Sequence, residues 1–161
     1  MILKPVLAAF AALLILALPA AAAGYLKLGD IKGEATDAGH KDWIDITSLS
    51  EGVDQSVSAS AGARSAGKST LRPVIITKAV DGTTPALREA ALTGKVIKEA
   101  TIEYGRLTLV LKDVRVLSAA SSGEGAELTE QISLLATQAE WRIPGTPGIK
   151  PVSFNTATGK P

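Results

Sequence analysis

Short runs of period two dominate the chain. Gly24 to Leu28 alternates, with Leu26 and Leu28 on one face and Gly29 closing the run. Trp43 to Leu49 repeats that period with β-branched residues and predicts a second strand. Val53 to Ser60 alternates weakly through Val57 and Ala59. Leu71 to Lys78 predicts a strand whose Pro73 puts its start at an edge or a bulge. Val96 to Tyr104 and Leu107 to Leu117 follow, and Gly105 between them predicts a tight hairpin. A different period appears over 84–93, where Leu87, Ala90, Ala91 and Leu92 form an apolar stripe. Thr84 as cap, Pro85 at the first helical position and Gly94 at the exit predict a helix there. A helix that short must lean on a sheet to be stable.

Other segments read less clearly. Over 127–143, Leu128, Ile132, Leu135 and Ala139 fit a helical stripe, while Leu128, Ile132, Leu134 and Ala136 fit a strand face. Periodicity does not choose between them. Residues 58–70, built of Ser, Ala and Gly, read as a mobile loop. Residues 144–161, with Pro144, Pro147, Pro151 and Pro161, read as a flexible Pro/Gly-rich tail. The expected fold class is mainly β: a small two-sheet β-barrel or sandwich with one flanking α-helix.

The first residues belong to a different kind of segment. Lys4 precedes an unbroken apolar run from Val6 to Leu18, Pro19 ends it, and Ala20 to Ala23 supply small residues for cleavage. That is the layout of a Sec-type signal peptide over 1–23. The run falls short of the about 20 apolar residues of a membrane span. The expectation is an exported domain, periplasmic or extracellular, with no stable membrane insertion after the leader is removed.

Composition narrows the chemistry. With no cysteine, disulfides, thiolate metal sites and cysteine nucleophiles are excluded. One histidine, His40, rules out a multi-histidine metal centre within one chain. Lys and Arg number 17 and Asp and Glu 16, for a net charge of +1, without the basic excess of a nucleic-acid binder. Gly62 to Ser69 matches the phosphate-loop pattern G-x-x-x-x-G-K-[ST]. Its context argues against nucleotide binding, because Pro73 falls where the helix after such a loop should run. His40 lies between Asp37 and Asp42 in a turn-rich stretch, where a carboxylate partner and a serine would make a hydrolytic set. No G-x-S-x-G elbow accompanies it, and a histidine that holds the turn is the simpler reading. Asp30, Glu34, Asp37, Asp42 and Asp45 crowd one region without calcium-loop spacing. The residues therefore point to no catalytic, metal or cofactor site.

Several separated motifs carry a resemblance. Tyr25 to Glu34, then Asp37, His40 and Trp43-Ile44-Asp45-Ile46, resemble the opening of the haemolysin-coregulated protein (Hcp) family, the tube protein of bacterial type VI secretion. Ile76-Thr77-Lys78 and Asp81 to Leu87 resemble that family's strand leading into its one helix, and Thr93-Gly94-Lys95 its exit. Leu107 to Val116, Leu128 to Leu134 and Glu140-Trp141 resemble its later strands. The resemblance covers 24–143 and implies a barrel of two sheets with a helix on its flank, with 127–143 as strand. It implies a non-enzymatic subunit of homo-hexameric rings that stack into a tube and carry small effectors, with secretion-apparatus proteins as partners. Two features depart from the family: the leader, and a short turn at Tyr104-Gly105-Arg106. The alternative is an exported Hcp-like binding module of the cell envelope that builds no tube. Gly29 to Lys41, residues 58–70 and the 104–106 hairpin are the candidate contact regions.

Overall fold

The computed structural model describes residues 23–60, 63–124 and 127–160. The expected leader over 1–23 lies almost wholly outside them. The described elements are β1 (Gly24–Leu28), β2 (Ile44–Ile46), β3 (Ser48–Ser50), β4 (Val53–Ser60), β5 (Ala63–Leu71), β6 (Val74–Ala79), α1 (Thr84–Thr93), β7 (Val96–Tyr104), β8 (Leu107–Glu124), β9 (Glu127–Leu135), β10 (Gln138–Arg142) and β11 (Val152–Asn155).

The main sheet runs β2-β1-β7-β8-β9-β6-β3, with β10 and β11 branching from β8. The branch has a local cause. One edge of β8 pairs with β7 along its first half, while the other edge pairs with β10 over Thr108–Lys112 and with β9 from Arg115 onward. Asp113 sits between those two partners with a left-handed φ of 50°. Thr137, in the link between β9 and β10, donates its N–H to the Lys112 carbonyl at 3.0 Å and its hydroxyl to Asp113 Oδ2 at 3.0 Å. The chain therefore turns a corner there, and one long strand serves two directions of the sheet.

A second corner lies at Thr47. β2 and β3 stand at opposite ends of the strand order, yet this single residue joins them. The sheet has to curl until its two ends meet. Thr47 fixes the meeting point by donating both its N–H and its hydroxyl to the Thr77 carbonyl, at 2.8 and 3.0 Å. No ladder pairs β2 with β3, so the barrel is drawn together by the chain and these two bonds and is not closed by strand pairing. Inside it pack Leu26, Leu28, Ile44, Ile46, Ile76, Ile102, Leu109, Leu111, Ile132 and Leu134, all fully buried. They occupy alternate positions on their strands, as a half-buried sheet requires.

The helix is where the sequence puts it, with two adjustments. The cap is Thr83, and Thr84 is already helical; the Thr84 hydroxyl instead donates to Glu130 Oε1 at 2.7 Å. Leu87 and Ala90 face the core, whereas Leu92 is 88% exposed and lies off the stripe. Gly94 ends the helix with a left-handed φ of 63°, which glycine adopts without strain.

Several expected boundaries change. The strand read over 43–49 is split at Thr47 into β2 and β3, because the corner needs a break there. Of the segment 58–70, read as a mobile loop, residues 58–60 and 63–70 are instead strand, part of β4 and β5, which pair as a two-stranded sheet with a register shift between Gln55 and Val57. Leu71 belongs to β5, and β6 starts after Pro73, at Val74. β8 runs on to Glu124 because β9 pairs with its second half. Residues 127–143 form two strands broken at 136–137, at the corner by Asp113. Within the segment read as a flexible tail, Val152–Asn155 pairs with β10 and Phe154 is buried in the core. That strand forms because β10 would otherwise present an open edge over the barrel.

Candidate functional site

Of the three candidate contact regions, the first lies against β7 beside the 104–106 turn. Gly29 to Lys41 runs over the outward face of β2-β1-β7, where His40 bonds to Glu103, the residue before that turn. In register across those strands stand Asp45, Tyr25 and Glu103. The loop from Gly33 to Trp43 folds over this row as a small hairpin. Gly33 N–H donates to the Asp42 carbonyl at 2.8 Å, Ala35 N–H to Trp43 at 3.0 Å and Asp42 N–H to Ala35 at 3.2 Å. The Gly33 backbone lies so close to Trp43 that a methyl group there would run into the Trp43 carbonyl. Gly33→Ala is therefore expected to cost about 1–3 kcal/mol, read by thermal unfolding, with the loop amides losing hydrogen-exchange protection. An unchanged melting temperature would contradict this packing.

His40 anchors the loop. Its Nδ1 lies 2.7 Å from Asp37 Oδ1 and its Nε2 2.9 Å from Glu103 Oε2. The ring stacks on Tyr25 with centroids 4.0 Å apart and meets Trp43 edge-on at 5.0 Å. Asp37 also accepts the Gly39 N–H at 3.0 Å. The bond to Glu103 is the main cause that raises the His40 pKa above its ordinary value, with burial opposing it and Asp37 adding to it. The His40 bond holds Asp37 below the usual carboxylate range. Burial, and then the neighbouring Asp81, Asp37 and Glu34, push Asp45 up.

This geometry answers the hydrolytic reading of His40. Of its two sequence neighbours Asp37 and Asp42, only Asp37 bonds to it, and the other ring nitrogen is taken by Glu103. No nitrogen is left to activate a serine. The acidic residues around it are also dispersed: Asp37 is on His40, and Glu34 Oε1 accepts the Gly82 N–H at 3.1 Å. Among the described residues, no group of three or more His, Asp or Glu side chains is placed to hold a metal ion. Gly67 to Ser69 of the phosphate-loop pattern lie in β5, where Ser69 pairs with Gln55 of β4 and Gly67 and Lys68 pass the register shift beside Ser56. Their backbone belongs to a ladder, not to a loop opening a helix, so that pattern has no structural counterpart.

The third region, the β4–β5 hairpin, stands elsewhere. Its strands pair only with each other. At its base Trp141 Nε1 donates to Glu51 Oε2 at 2.9 Å, and Val53, Val152 and Phe154 line an apolar groove beside the indole. The 104–106 turn is tight, with Gly105 at φ 59°. The Tyr104 hydroxyl donates to the Thr47 carbonyl at 3.2 Å, and Arg106 Nη2 to Thr146 Oγ1 at 2.8 Å.

The family model described as Type VI secretion system effector, Hcp, matches residues 25–143. The chain belongs to the Hcp family. Protein hcp1 of Pseudomonas aeruginosa is 35% identical to it over 130 residues, 72% of this chain and 79% of that protein. Among solved structures, one described as a type six secretion system protein superposes with a TM-score of 0.76 at 22% identity, covering 85% of this chain and 97% of the other. Hcp1 from Salmonella typhimurium superposes with a TM-score of 0.73 at 21% identity, covering 85% and 96%. These two likenesses establish an Hcp-like fold. This chain is thus an Hcp-like type VI secretion protein, from a family of structural secretion-system proteins and not of enzymes.

Sequence reasoning missed one feature of this Hcp fold. Lys78 and Glu130 face each other across β6 and β9, and both are fully buried. Lys78 Nζ donates to Glu130 Oε1 at 2.8 Å, to Asp81 Oδ1 at 2.7 Å and to the Ala79 carbonyl at 2.6 Å. Burial works to raise the Asp81 pKa, but the bonds from Lys78 and Thr83 outweigh it and hold the carboxyl below its usual range. The signal was present: Val74, Ile76 and Lys78 share one face of β6, and Glu130, Ile132 and Leu134 share one face of β9. A charge at an inward position of each strand predicts that the two meet.

Proposed function

We propose that this chain is a non-enzymatic tube subunit that assembles into homo-hexameric rings able to stack and to carry small effectors. The observation that carries the reading is the family match over 25–143, supported by a fold likeness that covers 97% of a solved type six secretion system protein. The β4–β5 hairpin supports it. A two-stranded sheet with no further strand beside it is marginal in water, and a neighbouring subunit would cover it. A heterologous contact repeated about a closed axis gives a ring. Secretion-apparatus proteins are then the partners, and no cofactor or nucleic acid is needed.

A second reading rests on the leader-like segment 1–23. Export by that segment would deliver the domain to the periplasm or beyond, away from a tube assembled in the cytoplasm. The domain would then be an Hcp-like binding module of the envelope. Native mass spectrometry of residues 24–161 over a concentration series separates the two. A six-fold mass is expected. A monomer at every concentration would overturn the ring and favour the binding module.

A further inference from the structure

We propose that His40 is a pH-sensitive clamp that pins the Gly33–Trp43 loop to the outer face of β2-β1-β7, and that the loop loosens when the imidazolium loses its proton. The clamp is a property of one chain and stands whether or not rings form. Its bearing on assembly rests on the proposal that this loop is a contact surface.

Hydrogen-bond valence sets the protonation state of the ring. A neutral imidazole has one N–H and one lone pair, and only the protonated ring donates from both nitrogens. Here both nitrogens face carboxylate oxygens, at 2.7 and 2.9 Å. A carboxylate is acceptor-only, so a neutral ring would set a lone pair against one of them. The protonated ring satisfies both. One of those carboxylates, Asp37, belongs to the loop; the other, Glu103, belongs to β7. The imidazolium is therefore the side-chain bridge between loop and sheet on this face. Tyr25 lies parallel beneath it, with an interplanar angle of 6°, and an aromatic face favours a cation over a neutral ring.

The surrounding charges favour the same state. Asp45 of β2 stands opposite Tyr25 in the sheet, on the far side from Glu103. The loop itself adds Glu34 and Asp42, and Asp81 acts on Asp45 from the turn before α1. The cations of the region are Lys27, two positions along β1 on the same outward face, the exposed Lys32 just before Gly33, and Lys41, next to His40 in the chain. A loop with so many carboxylates needs a cation at its centre. A second tie, from Gly82 N–H to Glu34 Oε1 at 3.1 Å, holds the start of the loop without using His40. Loosening is thus confined to the His40 end.

The direction of the pH effect follows. The His40 pKa is raised in the folded chain. Its contribution is fully present below the unfolded value of about 6.5 and is lost as pH rises through the folded value. Asp37 is lowered, so its contribution is present above the unfolded carboxylate value and is lost as pH falls through the folded one. The clamp is engaged between these limits. The Tyr25 phenol, pushed up by burial and then by Asp37 and Asp45, stays neutral throughout.

The test is amide hydrogen exchange at Gly33, Ala35, Asp42 and Trp43, whose N–H groups make the loop's own bonds. It is run from pH 5 to 9 at a concentration where a single oligomeric species is present. Rates are converted to protection factors, which removes the base catalysis of exchange itself. Protection at these amides is expected to fall about tenfold as His40 titrates, while Ile102 and Leu109 in the barrel stay protected. His40→Gln is expected to give low, pH-independent loop protection with barrel amides unchanged, which separates loss of the clamp from loss of the fold. Nitrogen-15 shifts of the ring are expected to show both nitrogens protonated at pH 6.5. Flat loop protection in the wild-type chain, or a ring already neutral at pH 6.5, would overturn the clamp. A monomeric chain that still shows the titrating loop would sink the ring proposal and leave the clamp standing.

Discussion

Glu130→Leu is expected to destabilise the barrel by about 3–5 kcal/mol, seen as a lower urea midpoint at unchanged slope. The substitution removes the carboxylate that faces Lys78 across the β6–β9 ladder. Lys78 has no exposed surface, so its ammonium would keep only Asp81 and the Ala79 carbonyl. Thr84 loses its acceptor in the same step, and with it one tie between the first turn of α1 and the sheet. Glu130 Oε2 is already buried without a hydrogen-bond partner, so the native arrangement is itself costly. For that reason the double variant Lys78→Met with Glu130→Leu is expected to recover most of the loss, as apolar replacement of a buried pair commonly does. Asp81 retains the N–H and hydroxyl of Thr83 in that background. A single variant within about 0.5 kcal/mol of wild type would show that the pair does not bear on stability.

Leu87→Ala is expected to cost about 2–5 kcal/mol. Leu87 is fully buried and is the largest side chain that α1 gives to the core. The helix has 10 residues and its cap, Thr83, makes no side-chain capping bond. Such a helix is below the length at which it would persist alone in water. Packing on β8 and the Thr84–Glu130 bond therefore hold it in place. Circular dichroism and tryptophan fluorescence are expected to report one transition at lower denaturant. A cost under about 1 kcal/mol would mean that the helix is held by something other than its buried face.

Much of this architecture could be read from residue order, and the failures have physical causes. β1, β7 and the helix were legible because each carries a clear period, bounded by Gly29, Gly105 and Gly94. Val53 to Ser60 showed β4 through a weak alternation, but β5 was hidden because Ser, Ala and Gly give little strand preference and its pairing depends on a partner several residues away. Thr47 and Asp113 gave no local sign of being corners, since each corner is set by what pairs on either side of it. β11 was masked by the prolines around it. The site was half legible. Asp37 was a visible partner for His40 because both sit in one turn. Glu103 was not, because the contact spans 63 positions and exists only once Tyr25 and Glu103 are in register.

The proposed assembly makes this barrel one unit of a six-membered ring. Electron microscopy of negatively stained residues 24–161 tests it most directly. Class averages with six-fold symmetry around an open centre are expected, some of them stacked end to end in side view. Particles the size of a single barrel, with no symmetric classes at any concentration, would contradict it.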